Sequence, residues 1–314
     1  MSPPPVNDDR AQPYDLRDFG RRLVCPACKG DLSVAAAGPT CMRCSVEYGV
    51  VEGIPLFLPQ ALTEQQLGQT AYFDTEFKTY AECRPENWRL SFVRRIFDSL
   101  EIPEAGGPYL DVGVGGSGAT VIEAARVGID ATGCDLSVEG VRQAARFARE
   151  QGVALRASFV ACAAEALPFP DDEFQSASAV AVLEHLDDDL AAINELARVI
   201  RPNGLLWITV PNAYRYIPPP LWPVYLIHDR KLGHKRHYDA ATLTRRVSGS
   251  GFHHVSTLFS GHPVKVLQLA VDRLLPLSDR RRSRIWWNLE GRDLRAHKRA
   301  LGALQLNAVF RKKP

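Results

Sequence analysis

A chain of 314 residues, 46% of them hydrophobic, is long enough to bury one large core with a small unit beside it. Its opening stretch, MSPPPVNDDRAQPYDLRD, is prolines and charges rather than a signal peptide. No run reaches the ~18 apolar residues that a membrane helix needs, so a soluble, cytoplasmic protein without stable membrane insertion is expected. The net charge of +2 neither requires nor excludes nucleic acid. It is uneven, however: RRRSR at 280–284, RDLRAHKR and the terminal RKKP fit either a basic face or an ordinary solvated helix surface.

In chain order, residues 1–18 read as a disordered tail, 19–59 as a small cysteine-bearing module and 60–106 as a helical linker. Residues 107–314 read as the main domain, with a lid insertion at about 213–238 and a basic insertion at about 262–300. In the linker, Trp88, Phe92, Ile96 and Leu100 recur every fourth position, which predicts a helix with one packing face. From Tyr109 onward short apolar segments (YLDVG, IDATGCD, FVACA, FQSASAVAV, LLWITVPN) alternate with helical ones. Ser137 is placed to cap the second helix. GFHHVSTLFS and ALQLNAVFRK add two later strands. The alternation predicts an α/β fold of Rossmann-like, doubly wound type, with a seven-stranded, mostly parallel sheet.

Seven cysteines fall into a clustered set and a scattered one. Cys25, Cys28, Cys41 and Cys44 form two C-x2-C pairs twelve residues apart, the spacing of one tetrahedral zinc. Four thiolates close the coordination shell, so the expected zinc is structural and helps fold a module too small to stand on apolar burial. Cys83, Cys134 and Cys162 read as small buried apolar residues. The segment LVCPACKGDLSV through EYGVVEGIPLFLP resembles the zinc-ribbon module related to the small activator subunit of tRNA and protein methyltransferases.

The segment LDVGVGGSGAT carries Gly113, Gly115 and Gly118 at G-x-G-x-x-G spacing, a weak signal by itself for a dinucleotide. Asp111, two residues ahead of the first glycine, opposes a pyrophosphate and suits a cofactor with a positive amino-acid end. Together with ATGCDLSVEGVRQAAR, AEALPFPDDEFQ, AVLEHLDD, ELARVIRPNGLLWITVPN and GHKRHYDAATL, this stretch resembles the class I S-adenosylmethionine-dependent methyltransferases over roughly residues 107–260. The resemblance implies that Asp111, Gly113, Gly115 and Ser117 surround the methionine end of the cofactor. It implies that Asp135, followed by Leu136, accepts hydrogen bonds from both ribose hydroxyls, and that Ala164 and Glu165 meet the adenine. Two positions depart from the family: Ser117 replaces a glycine, and Ala163 replaces the usual acidic adenine contact. Losing that contact costs about 1–3 kcal/mol of binding if the adenine amine is left unpaired.

Methyl transfer from a sulfonium is an in-line displacement that mainly needs alignment, plus a base where the acceptor is a hydroxyl. His185, after the fourth strand, is the candidate base; the alternative is that Glu184 and His185 only shape the pocket or cap the next helix. Ala181 stands where the resembling ubiquinone-type enzymes carry an acid, so no metal is expected there. His228, His234 and His237 cluster in the lid region, and Tyr214, Tyr216, Trp222 and Tyr225 make the lid aromatic. The favoured acceptor is a hydroxyl or similar group of a small lipophilic or aromatic metabolite. An RNA methyltransferase is the alternative, although no NPPY-type amine motif follows the fourth strand. A catalytically silent scaffold is the third reading. The sequence leaves the oligomeric state open.

Overall fold

The computed structural model describes residues 23–35, 38–78, 90–102, 104, 106–262 and 298–314. The N-terminal tail, Cys83, Trp88, the side chain of His228 and nearly all of the basic insertion lie outside the described residues.

Eleven strands are described. Strands β1 (Leu32–Ala35) and β2 (Gly38–Cys41) form a small hairpin carrying Cys41. Strands β3 (Gly49–Val51) and β4 (Ile54–Phe57) follow. Next come β5 (Tyr109–Val112), β6 (Ala131–Asp135), β7 (Ala157–Cys162), β8 (Phe174–Val180) and β9 (Ile200–Pro211). Strands β10 (Phe252–Ser260) and β11 (Gln305–Lys312) complete the set.

The main sheet runs β10-β11-β9-β8-β5-β6-β7-β4-β3. Strands β5 to β9 are mutually parallel where they pair, and β11 enters antiparallel between β9 and β10. These are the seven strands expected from the sequence. Two more join them from the cysteine segment: β4 pairs in parallel with β7, Leu56 opposite Ala161 and Phe57 opposite Cys162, and β3 closes the edge. The apolar side chains of Ile54 and Phe57 favour this, each 1% exposed and packed in a core shared with the larger sheet. The cysteine segment and the main domain therefore share one sheet, and Leu23, Cys25, Cys41, Tyr48 and Phe57 belong to the same core as Cys162, Leu167 and Phe169.

The described helices are α1 (Glu64–Lys78), α2 (Leu90–Ser99), α3 (Ala119–Arg126), α4 (Val138–Glu150), α5 (Asp189–Val199), α6 (Trp222–Leu232) and α7 (Ala240–Gly249). Helix α2 buries Phe92 and Ile96, with Leu100 just past its end, as the four-residue stripe predicts. The N-cap of α4 is Ser137, whose Oγ accepts from the Gly140 N–H at 2.9 Å. Helix α5 starts beyond the AVLEHL segment, on Asp188 as its cap, so Glu184 and His185 sit on the turn between β8 and α5. Helix α1 buries no residue and spans the carboxyl end of the sheet. Among the described residues no helix is long and apolar enough to cross a membrane.

Candidate active site

One cavity of about 900 Å³ opens at the carboxyl ends of β5 to β9, where an open parallel sheet gathers its ligands. Gly113 (φ 75°) and Gly115 (φ 60°) turn the chain out of β5 and line it. A Cβ on Gly113 meets Val182 Cγ2 at 2.2 Å, so only glycine fits there. Asp135 ends β6 and accepts backbone N–H bonds from Gly115 and Ser137, each at 2.9 Å. Burial raises its carboxyl pKa, against those N–H bonds, and spare lone pairs of the carboxylate remain for further donors. Leu136, Ala163, Ala164 and Glu165 continue the same wall. An amino-acid-bearing nucleoside such as S-adenosylmethionine suits this donor set: a glycine turn for close approach, one carboxylate for a diol and an apolar wall for a purine.

Two residues expected at the cofactor are not among those lining the cavity. Asp111 is 4% exposed and does not line the cavity; its two oxygens accept from the hydroxyls of Thr120 and Ser178. Burial pushes its carboxyl up to about 6 against those two bonds, so it braces the start of α3 against β8 from beneath the loop. Ser117 faces the helix rather than the cavity, its Oγ accepting from the Ala119 N–H at 3.3 Å.

The opposite wall comes from α1, which the sequence marks only as linker. Gln65, Gln69, Thr70, Phe73 and Phe77 face inward. Phe73 and Phe77 stack with centroids 5.6 Å apart, and Phe77 lies so close to the loop that a Cβ on Gly116 meets its ring at 2.9 Å. Helix α1 is pinned at both ends. Gln69 donates to the Leu232 carbonyl at 2.9 Å, Gln65 donates to those of Gly233 and His185 at 3.1 and 3.2 Å, and Ser137 donates to Asp74.

The floor beyond the cofactor end is titratable. Glu184, 1% exposed, has an Oε2 with no partner among the described residues, and burial pushes its carboxyl up to about 8. His185 stands edge-on to Phe73 with centroids 5.7 Å apart and is edge-on to His234 at 4.8 Å. Burial first, and His234 second, push its imidazole down to about 3, against a bond to the Leu232 backbone. One oxygen of Glu184 and one ring nitrogen each of His185 and His234 lie within 4.8 Å of one another. From the lid, Tyr225 also lines the cavity, while Trp222 is 40% exposed and turns outward.

Below the sheet edge, the four cysteine sulfurs all lie within 4.8 Å of one another, with Cys25 to Cys44 at 3.6 Å and Cys28 to Cys41 at 3.5 Å. Four thiolates about 2.3 Å from one ion have this sulfur spacing, so the donor set fits tetrahedral zinc. The backbone N–H groups of Arg43 and Cys44 donate to Cys41 Sγ at 3.4 Å each. The Cys44 N–H is the largest influence holding the Cys41 thiol down to about 6.

A glycine turn after the first central strand, a carboxylate after the second and an antiparallel strand entering beside the last parallel one make a Rossmann-like α/β architecture. Residues 110–208 match the family described as methyltransferase domain. The 2-methyl-6-phytyl-1,4-hydroquinone methyltransferase of Synechocystis sp. is 30% identical over 138 residues, 43% of this chain and 42% of that protein. The chain spans about two fifths of the length of the curated relatives it matches. Among solved structures, the [4+2]-cyclase SpnF superposes with TM-score 0.56 at 26% identity, covering 81% of this chain and 98% of that one. Geranyl diphosphate C-methyltransferase from Streptomyces coelicolor gives TM-score 0.59 at 14% identity, covering 81% of this chain and 100% of that one, and shares the fold.

Proposed function

We propose that the chain is an S-adenosylmethionine-dependent methyltransferase acting on a hydroxyl or similar group of a small lipophilic or aromatic acceptor. The observation that carries this reading is the single cavity that joins the Asp135 end to an apolar, aromatic end bearing Glu184, His185 and His234. When bound, S-adenosylmethionine supplies an activated methyl group on a sulfonium. Asp135 holds the ribose hydroxyls, Leu136 and the 163–165 wall take the adenine, and the Gly113–Gly115 turn admits the amino-acid end. Phe73, Phe77, Leu186 and Tyr225 exclude water and orient the acceptor, which supplies the alignment such a displacement needs. Glu184, neutral at pH 7 through burial, serves as a hydrogen-bond donor rather than as a charge. Cys25, Cys28, Cys41 and Cys44 hold one structural zinc.

Incubation with methyl-labelled S-adenosylmethionine and a panel of lipophilic hydroquinones and phenols, beside bulk RNA, tests this reading. Label in the quinols supports it, and label in RNA alone overturns it. The likeness to a [4+2]-cyclase favours a second reading, in which the same cavity rearranges a bound small molecule without transferring a methyl group. Cofactor binding without transfer to any acceptor supports that second reading.

A further inference from the structure

We infer that Glu184 and His185 form a subsite for one uncharged hydroxyl group of the acceptor. Glu184 donates a hydrogen bond to the hydroxyl oxygen, and His185 Nδ1 accepts one from its O–H. This assignment rests on the proposed reading of the aromatic end of the cavity as the acceptor end. It narrows the acceptor class to neutral hydroxyl compounds and excludes an anionic group at this position.

Both residues line the cavity from the turn after β8. Their backbone is fixed from three sides. The His185 N–H donates to the Val182 carbonyl at 2.9 Å, and the Lys235 N–H donates to the Glu184 carbonyl at 2.8 Å. Gln65 Nε2 donates to the His185 carbonyl at 3.2 Å. Ala181, where the turn begins, has φ 56°, and its N–H donates to the Thr209 carbonyl at 2.9 Å. A positive φ at a residue with a side chain is strained backbone of the kind that gathers at ligand sites.

Each side chain presents one buried polar atom that no described residue satisfies: Oε2 of Glu184 and Nδ1 of His185. The Glu184 carboxyl is bonded by its own backbone N–H, and the His185 ring bonds the Leu232 backbone. Those bonds fall to Oε1 and Nε2, because the other two atoms have no partner. A neutral imidazole donating from Nε2 carries its lone pair on Nδ1, and a neutral carboxyl accepting at Oε1 carries its proton on Oε2. The pair offers one donor and one acceptor, the complement of a hydroxyl group. One carboxyl oxygen of Glu184 and one ring nitrogen of His185 lie within 4.8 Å of each other. A single oxygen at the ~2.8 Å of an ordinary hydrogen bond from each spans that separation.

The surroundings leave this pair to a ligand. The Tyr225 hydroxyl is committed to the Leu304 carbonyl at 2.8 Å, while Phe73, Val182 and Leu186 add only side-chain carbon to the cavity wall. Burial pushes the Glu184 carboxyl up to about 8, and the nearby Asp229 charge adds to that shift with no cation opposing it. Burial first, and His234 second, hold His185 neutral. An anionic acceptor group would find no positive partner here and would face Asp229, whereas a hydroxyl satisfies both buried atoms.

The experiment measures binding to the zinc-loaded full chain by calorimetry, with S-adenosylhomocysteine added. It runs at about pH 6.5, where a phenol is neutral and a carboxylate ionised. The probes are naphthalene, β-naphthol, its methyl ether and β-naphthoate. Wild type is expected to bind β-naphthol about 10-fold or more tightly than naphthalene, with the ether between them and the naphthoate weakest. Glu184→Leu should bring the ether down to naphthalene, and His185→Phe should bring β-naphthol down to the ether. Naphthalene affinity should stay within about 3-fold of wild type in both variants. Glu184→Gln, whose amide still donates, should keep the wild-type order. Equal affinity of wild type for β-naphthol and naphthalene, tightest binding of the naphthoate, or losses that fall equally on all four probes overturn the assignment. A second equivalent of metal per chain that Glu184→Gln removes also overturns it, because the two side chains would then be metal ligands. The probe order is read without methyl transfer. The expected order with no label transferred to any quinol therefore supports the subsite and counts against the methyltransferase reading alone.

Discussion

Lys29, between the two cysteine pairs, reaches Glu195 on α5 with Nζ 2.8 Å from Oε2, and the same carboxylate oxygen accepts the Leu167 N–H at 2.8 Å. Lys29 also donates to the Leu167 carbonyl at 3.2 Å, and the Val24 N–H donates to Pro168 at 2.9 Å. The cysteine module therefore grips the segment that begins as the cavity wall at Ala163–Glu165.

Lys29→Met should loosen that segment. Glu195 keeps its Arg198 partner and Lys29 is partly exposed, so the expected cost is about 1 kcal/mol of stability, with a several-fold loss of cofactor affinity. Thermal melting and titration calorimetry check both. Unchanged cofactor affinity contradicts the coupling.

Zinc removal should act on the same segment, and more strongly. Chelation, or Cys41→Ser, is expected to lower the melting temperature and weaken cofactor binding, because β4 is bonded to β7 two residues ahead of Ala164. One equivalent of zinc per chain by elemental analysis is expected beforehand. Zinc-free protein with unaltered melting and binding contradicts the structural role.

Glu184 sets a pH dependence of stability. Unfolded, its carboxyl titrates near 4.5; folded, burial pushes it up to about 8. The folded state thus keeps a proton that the unfolded state releases. The group's contribution is complete below 4.5 and is lost as pH rises through about 8. Glu184→Gln, a neutral isostere, should narrow the fall in melting temperature between about pH 5 and about pH 9. A variant whose fall matches the wild type contradicts this account.

Gly113→Ala should damage the glycine turn that lines the cavity without touching the cysteine module. A positive φ costs a non-glycine residue about 1–3 kcal/mol, and the 2.2 Å approach to Val182 Cγ2 adds to it. Loss of cofactor binding with zinc retained is the expected result, checked by calorimetry and elemental analysis.

Sequence made the seven strands, their helices, the glycine turn and Asp135 legible because each is a local pattern: an apolar run, a cap or a glycine at a fixed offset. What it hid depends on distant partners. Helix α1 buries nothing, so its spacing gives no packing stripe, yet Phe73 and Phe77 wall the cavity. Asp111 sits in the expected acidic position, but it is buried behind the cavity wall and accepts from Thr120 and Ser178, the latter 67 residues away. Asp229 stood unmarked inside the lid segment, because its bonds to Tyr214, His234 and His237 follow no periodicity. The edge strands β3 and β4 looked like part of a separate module because β-pairing with β7 leaves no mark in the intervening chain.

Asp135 and the glycine turn are proposed to bind S-adenosylmethionine. Titration calorimetry on the zinc-loaded full chain, wild type beside Asp135→Ala, tests it most directly. Saturable one-to-one binding that weakens at least about 100-fold in the variant is predicted, since two charge-assisted hydrogen bonds are lost. No binding to folded wild type, or equal affinity in both proteins, would contradict it.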